Sequence, residues 1–503
     1  MDRLAVACAC MTLLAAQLFA KWYYNPLRHV PTAGGPSIPL LSYLAAYRFA
    51  RHPEDVLQEG YDKFHGSTFK VALPHRWMVV VSGPDGVEDM RRRADNDLSI
   101  KDGFNEILQT EHIMGRDVNE NRWHVDVIKS SLTPNLPSIF PELLDELPLA
   151  VQDNLLCEDG WTAVNVFPAV LNIVARLSSR VFVGLPLCRS LPYIRLAIRF
   201  TAARLKDANT LKLIPSVLRP IAARFLNNTR SALLEANAYI EPMIRARRAD
   251  MERFGDDWQD RPNDLLQWFM DEASMKNMSD EAIPPRLFLI NFASIHTSSM
   301  SMVNALHHLA AYPEYTAPLR TEVEQVITSD GWTKAAIDKM WKVDSFLRES
   351  QRSRTVARFA LNRVAMRDLT LVDGTSIPKG TLIATAPSPA HRDQKYYHKA
   401  DIFDPFRFSS IREETGVSAA QAFTHTSAKW LAFGHGKHAC PGRFFAADEL
   451  KALLAYIVLN YDIKVDDPPN GAQGVVTDKL LVRKRKTDSQ DFAFRSSPGD
   501  PSL

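Results

Sequence analysis

Phe433-Gly434-His435-Gly436-Lys437-His438-Ala439-Cys440-Pro441-Gly442 is the stretch that decides how this chain is to be read. Glycines at 434, 436 and 442 permit tight bends and close approach of the backbone to a flat object. Backbone N–H groups in such a loop can aim at a sulfur, and a thiolate held that way is stabilised and its electron donation tuned. The helical pattern that begins just after Cys440 adds its positive N-terminal end. Three other readings fit the same residues. Cys440 can be a buried structural cysteine in a glycine-rich turn. His425, His435, His438 and Cys440 are close enough in sequence to suggest zinc, although zinc sites usually show paired Cys/His spacings with several thiolates and this stretch has one. A catalytic cysteine needs a positioned base and an orienter, which the sequence does not reveal.

Outward from this loop the pattern is mainly helical. Arg443 to Asn460 carries apolar residues on one face, and Arg286 to Ala311 reads as an unusually long, largely apolar helix ended by Pro313. The whole stretch from about 100 to 360 has helical period. Trp77 to Val81 (WMVVV) before Ser82-Gly83-Pro84 reads as a buried strand with a turn. From Leu369 two strand-like runs flank Asp373-Gly374, a hairpin signal. Asp250 to Asp264, acidic with Gly255 and Pro262, reads as a surface loop. The fold class is therefore mainly α with a small β portion. No internal repeat is present, and no clear linker divides the chain after residue 45.

Composition narrows the function. The 503 residues would make about three domains at roughly 150 residues each, a prior that large single folds often break. Formal charge is +2 with 23% charged residues, which does not mark a nucleic-acid binder. A hydrophobic content of 46% excludes wholesale disorder. Five cysteines are too few for a disulfide framework and point to a reducing compartment.

The N-terminus is a local extreme. Leu4 to Ala20 carries no charge, and as a helix it would rise about 26 Å, just short of a hydrocarbon core. Lys21-Trp22-Tyr23-Tyr24 follows with the residue types a headgroup interface favours. A cleaved signal peptide is the alternative, but Asp2 offsets Arg3, and the positive charges Lys21 and Arg28 lie after the segment. The expectation is a retained anchor over 1–24, a proline-rich hinge over 25–45 (Pro26, Pro31, Pro36, Pro39), a catalytic domain over 46–486 and a polar tail over 487–503. Asn227-Asn228-Thr229 and Asn277-Met278-Ser279 are glycosylation-type triplets that a cytosolic domain would leave unmodified.

Phe433, Gly436, His438, Cys440 and Gly442 fit the F-x-x-G-x-[R/H]-x-C-x-G signature of the cytochromes P-450, the haem-thiolate monooxygenases. Three further motifs follow the family's order. Glu349-Ser-Gln-Arg352 resembles its E-x-x-R. Phe403-Asp-Pro-Phe-Arg407-Phe408 resembles the meander motif whose Arg closes a salt-bridge cluster with that Glu and Arg. Ala293-Ser294-Ile295-His296-Thr297 sits where the family has A/G-G-x-D/E-T on its long helix. Four ordered motifs covering nearly the whole chain are far stronger than one.

The resemblance implies a single-anchored P-450 fold and assigns roles. Cys440 would be the axial thiolate of haem b, a ligand that pushes electron density onto iron and favours O–O cleavage. Phe433 would shield the sulfur. His438, Trp123, His124 and, less securely, Arg363 would hold the haem propionates. Glu349, Arg352 and Arg407 would form a structural charge cluster, since buried charges need mutual pairing. Thr297 would order water for proton delivery. His296 replaces the usual acid and Ser294 the usual small glycine; His296 either relays protons near neutral pH or merely packs.

The expected activity is insertion of one oxygen atom from O2 into a C–H bond, with NADPH electrons from a separate NADPH–cytochrome reductase, because the chain holds no flavin or dinucleotide motif. Lys437 and Arg443 flank the loop and could present charge to that partner. Alternatives are a haem-thiolate isomerase or dehydratase, and a metal-binding membrane protein without turnover. The Ala293–Ser299 string, the Trp430–Phe433 lead-in and the His438–Phe445 continuation resemble the fungal ent-kaurene-oxidase-like branch, with an early run like its basidiomycete members. That branch acts largely on terpenoids and steroids, which implies a small hydrophobic substrate, fungal secondary metabolism and an endoplasmic-reticulum membrane protein with a cytosolic catalytic domain. Phe104, Ile107, Leu108, Ile113, Ala293, Ala357, Phe359 and Ala360 are the candidate pocket walls.

Overall fold

The long apolar run from Ile283 to Ala311 forms one 29-residue helix, about 43 Å of continuous rod, around which the helical layer is built. In this computed structural model residues 12, 16–17, 19–20, 22–157, 160–416, 419–466 and 477–485 are described. The rod begins three residues earlier than its apolar pattern indicated. Pro284 and Pro285 occupy its first turn, where a missing N–H leaves no helical bond unmade. Ile283, Leu287, Phe288, Ile295 and Met302 are fully buried. Helices Val166–Phe182, Leu191–Lys212, Asn228–Phe254, Leu265–Met275, Trp341–Ser353 and Arg443–Asn460 all pack on it. A polar anchor fixes its start. The Arg286 guanidinium donates to the Asp117 carboxylate at 2.6 Å and to the Asn121 carbonyl at 3.0 Å, and it lies 5.0 Å from the Trp123 ring.

A five-stranded sheet forms the second layer, in the order Phe69–Ala72, Trp77–Val81, Leu382–Thr385, Ala360–Ala365, Leu98–Ser99. Trp77–Val81 pairs antiparallel with Phe69–Ala72 and parallel with Leu382–Thr385. Its unbroken apolar run follows from cover on both faces. Val79 and Val81 join one core cluster, Met78 and Val80 another. Gly83, at φ 80, makes the turn into the next helix. The expected hairpin is present as the two-residue strands Leu369–Thr370 and Ser376–Ile377, with Gly374 at φ 82 in the turn.

Two expectations need correction. The acidic stretch 250–264 is not one surface loop. Helix Asn228–Phe254 runs into it until Gly255, and Asp264 is buried, capping the next helix through the Gln267 N–H and pairing both its oxygens with Arg247 at 2.6 Å. The segment 25–45 is not a free linker either. Val30 and Ala33 are buried, the Lys70 N–H donates to the Pro31 carbonyl, and a helix starts at Leu41. Ala33 shares a core cluster with Phe69 and Val71 of the first strand, and Val30 shares one with Val79 and Val81 of the next. The anchor expectation, Leu4–Ala20, falls mostly outside the described residues, as does the tail. No helix among the described residues is long and apolar enough to cross a membrane.

Candidate functional site

Between the sheet, the long helix and the start of helix Arg443–Asn460 lies a cavity of about 1180 Å³. That exceeds the roughly 300–1,000 Å³ of a site for one drug-sized ligand, and it leaves room for a large flat group and a second molecule. Cys440 opens onto it. The sulfur faces the void, so it is accessible from inside while protein surrounds the loop. The loop is closed by the Cys440 N–H donating to the Phe433 carbonyl at 2.8 Å. Gly436, at φ 80, needs to be glycine twice over, because a Cβ there would meet Arg91 Cγ at 2.4 Å. A Cβ on Gly442 would meet no protein atom within 4 Å. Burial pushes the Cys440 thiol up, opposed by the Gly442 N–H and by Arg443, and no imidazole acts on it. A metal ion at the sulfur would reverse that balance and hold it as thiolate. Phe433 lines the cavity beside it and is propped edge to face by Phe423 at 5.1 Å.

Positive charge gathers on this wall, opposed only at a distance by Asp95 and, for Arg122, Asp126. Arg122 and Arg363 both line the cavity, burial lowers both, Arg363 to about 10, and neither forms an ion pair with a described carboxylate. The Trp123 Nε1 and His124 Nδ1 beside them are buried without a hydrogen-bond partner. His124 is pushed down to about 3, first by burial and then by Arg122 and Arg286, so it is a neutral ring at physiological pH. Buried polar groups are normally satisfied. Two unpaired guanidiniums with two orphaned ring nitrogens therefore fit a dianionic group lying against the Cys440 loop, as the two propionates of haem would. Arg122 escaped the sequence reading; its place directly before Trp123 was the available signal. His438 differs from the others. Its Nε2 lies 2.7 Å from the Asp95 carboxylate, which Lys437 also approaches at 3.3 Å, and burial lowers its pKa while Asp95 opposes.

His435 is likewise taken, by Glu88 at 2.8 Å. Among the described residues no three His, Cys, Asp or Glu side chains converge as a metal site, which removes the support for zinc.

The long helix supplies the facing wall through Leu289, Phe292, Ala293, Ser294, Thr297 and Ser298. The Thr297 hydroxyl donates to the Ala293 carbonyl one turn back at 2.7 Å. His296 is not on this wall. One residue before Thr297 the helix has turned by about 100°, and the imidazole lies edge to face on Phe167 at 5.6 Å, its pKa lowered by burial. Of the pocket candidates, Phe104, Leu108, Ala293, Ala357, Phe359 and Ala360 line the cavity. Ile107 and Ile113 do not; Ile113 packs on the main core.

Behind the loop, Glu349 is fully buried. Arg352 donates to its two oxygens at 2.7 and 2.8 Å, Arg407 Nε at 3.1 Å and the Asp404 N–H at 3.0 Å. Arg352 also donates to the His391 carbonyl at 2.8 Å and Arg407 to the Ile402 carbonyl at 3.0 Å. The cluster thus ties helix Trp341–Ser353 to the segment leading into the cysteine loop.

Residues 33–487 match the family described as Cytochrome P450. The chain is 44% identical over 501 residues to cytochrome P450 monooxygenase 151 of Postia placenta, covering 97% of this chain and 100% of the relative. It is 38% identical to cytochrome P450 monooxygenase CYP512U6 of Ganoderma lucidum, over 91% and 90% of the two chains. It is 30% identical to ent-kaurene oxidase P450-4 of Gibberella fujikuroi, over 91% and 92%. The match spans the loop, the cavity and the long helix together, and the chain belongs to the cytochrome P450 family, as a haem-iron monooxygenase, similar to fungal members, that uses O2 and NAD(P)H-derived electrons delivered by a reductase.

Proposed function

We propose that this protein hydroxylates a rigid, hydrophobic terpenoid or steroid-like substrate. The observation that carries the reading is the wall facing Cys440. Phe104, Leu108, Leu289, Phe292, Val356 and Phe359 give it an apolar surface. Such a wall binds by area removed from water, at roughly 25 cal/mol per Å² of apolar surface, and suits a substrate with few polar groups. The relative named for oxidising ent-kaurene, a hydrocarbon, supports the same class.

Haem, when bound, supplies the oxygen-activating chemistry. This chain's residues do the rest. Cys440 would hold its iron through the thiolate. Arg122, Trp123, His124 and Arg363 would hold its carboxylates, and Phe433 would keep water from the sulfur. Thr297 positions water on the substrate side, its hydroxyl free to exchange the Ala293 carbonyl for a guest. Glu349, Arg352 and Arg407 hold the frame and touch no substrate.

Attachment to the endoplasmic-reticulum membrane through the N-terminus belongs to this reading. The uncharged run Leu4–Ala20 supports it, as do two segments with apolar side chains on the outside: Leu40, Tyr43 and Leu44 in one, Val217, Ile221 and Phe225 in the other.

The test is expression in a host with its own reductase, fed a panel of diterpenes, lanostane triterpenes and sterols, with products read by mass spectrometry. Conversion of a member of the panel with addition of one oxygen atom is expected. Turnover confined to small polar or charged compounds would overturn the substrate class.

A further inference from the structure

Arg204, on helix Leu191–Lys212, is a fully buried guanidinium that forms no ion pair with a described carboxylate. It donates to the Leu108 carbonyl and, at 2.9 Å, to the Thr110 hydroxyl, and its Nε is buried without a partner. Asp207, one turn on, opposes its charge only at a distance. The Asp207 oxygens are taken by the Asn228 amide at 2.6 Å and by the Thr229 N–H and hydroxyl, both at 2.8 Å. Burial lowers Arg204 to about 10, so it stays charged at neutral pH. Leu108 and Thr110 both line the cavity. The Thr110 oxygen accepts from the guanidinium, and no described atom accepts the Thr110 hydrogen. Asn119 lines the same cavity, 5% exposed, on a short helix packed against that of Thr110. Its side chain makes no hydrogen bond among the described residues, and Nδ2 is buried without a partner. The last torsion of an asparagine turns easily, so this nitrogen is available to a guest.

A buried cation without an anion and two buried donors without acceptors are each costly, and one guest relieves all three. The group is distinct from Arg122, Trp123, His124 and Arg363. Those stand against the Cys440 loop, whereas Arg204 ties the segment of Leu108 and Thr110 to helix Leu191–Lys212. We propose that this wall binds a carboxylate through the Thr110 hydroxyl and the Asn119 amide, with the Arg204 charge behind Thr110, and that the substrate is a terpenoid or steroid-like acid. Thr110 accepts from the guanidinium and donates to the guest, so the positive charge reaches the carboxylate through one polarised hydroxyl. The rest of the substrate lies on the apolar wall formed by Phe104, Leu108 and Phe292. Thr110 and Asn119 set specificity. Arg204 is a positioning residue that acts through Thr110. A site built to hydrogen-bond an oxygen rejects the analogue that lacks it, because its buried donors are then left unpaired. The inference rests on the substrate class proposed above and narrows it to members with one ionised end.

The test uses the full-length holoenzyme and diterpene and lanostane skeletons in three forms: the carboxylic acid, its methyl ester, and the hydrocarbon with methyl in place of carboxyl. Palmitic acid and hexadecane form a second arm. Binding is read by equilibrium dialysis. The wild type should bind one of the terpenoid acids at least about tenfold more tightly than its ester or hydrocarbon. Asn119→Leu and Thr110→Val should each cost about tenfold in acid affinity and leave hydrocarbon affinity within about twofold. Thr110→Ser, which keeps a hydroxyl, should restore acid binding. Arg204→Met should narrow the gap between acid and ester. If Thr110→Val or Arg204→Met loses haem, Asn119→Leu carries the test, since that side chain makes no hydrogen bond among the described residues. A wild type that binds the acid no more tightly than the hydrocarbon, or an equal loss of both affinities in Asn119→Leu, would overturn the proposal. If every terpenoid form fails while palmitic acid binds and is weakened by Asn119→Leu, the substrate class falls and the carboxylate site stands. Failure of every acid, cyclic and linear, would overturn both.

Discussion

The cysteine loop and the middle of the long helix face each other across one cavity, yet they encode their chemistry in different ways. In the loop, backbone geometry dictates residue type. Gly436 sits at positive φ, and the Cys440 N–H closes the turn on the Phe433 carbonyl. Residue identity there is a local constraint. In the helix every residue from Ala293 to Ser299 has the same backbone, and what each does depends on which neighbour it faces. His296 meets Phe167 on another helix, while Ser294 meets Ser178 on that same helix and also borders the cavity. Function there is set by packing between segments distant in sequence.

Breaking the loop should have the largest effect. Cys440→Ala should abolish turnover, measured as product per haem with reductase present, while Cys157→Ala and Cys188→Ala leave it intact. Those two thiols lie off the cavity and are raised by burial, Cys188 to about 11. Next comes the frame behind the loop. Glu349→Gln leaves Arg352 and Arg407 with no carboxylate in the buried cluster, a loss of about 3–5 kcal/mol for breaking such a pair. It should appear as low haem content and a lowered midpoint of thermal unfolding.

That cluster also marks how far the sequence could be read. Glu349 and Arg352 lie three residues apart on one helix, so their pairing is written in the spacing. The loop and the buried strand Trp77–Val81 were legible for the same reason, since each is decided within ten residues. Arg122 and Glu449 were not. Arg122 stands beside Trp123 in the sequence, but its lack of an ion pair among the described residues shows only in the fold, and Glu449, buried on helix Arg443–Asn460, is marked by a serine 271 positions away. The segment 25–45 misled because proline density reports a stiff chain and says nothing about what the apolar residues between the prolines dock against.

The helix side should give smaller, graded effects. Thr297→Ala should retain haem but divert a larger share of NADPH electrons to peroxide, assayed as product formed per NADPH. His296→Ala should leave that ratio within about twofold and cost stability instead, because the ring it loses is a packing contact on Phe167. A collapse of coupling in His296→Ala would move the imidazole into the proton path and erase the contrast between the two faces of the helix.

A pH series sharpens the comparison at Glu449. Its folded pKa, about 8, stands above the ordinary carboxylate value, so between about pH 4.5 and 8 the folded protein holds a proton that the unfolded chain has released. This group's contribution to stability therefore falls as pH rises through that window, by at most about 1.4 kcal/mol per pH unit. Glu449→Gln removes that slope. Its unfolding midpoint should gain on the wild type as pH rises from 5 to 8, and a constant difference across the series would show that Glu449 is ionised in the folded state.

The claim on which the rest depends is that Cys440 is the sulfur that ligates haem iron. The carbon monoxide difference spectrum of the dithionite-reduced protein tests it in one cuvette. The wild type should give the strongly red-shifted Soret band of a thiolate-ligated haem, and Cys440→His, provided it binds haem, should give the band of an imidazole-ligated haem. A red-shifted band that survives Cys440→His would contradict the assignment.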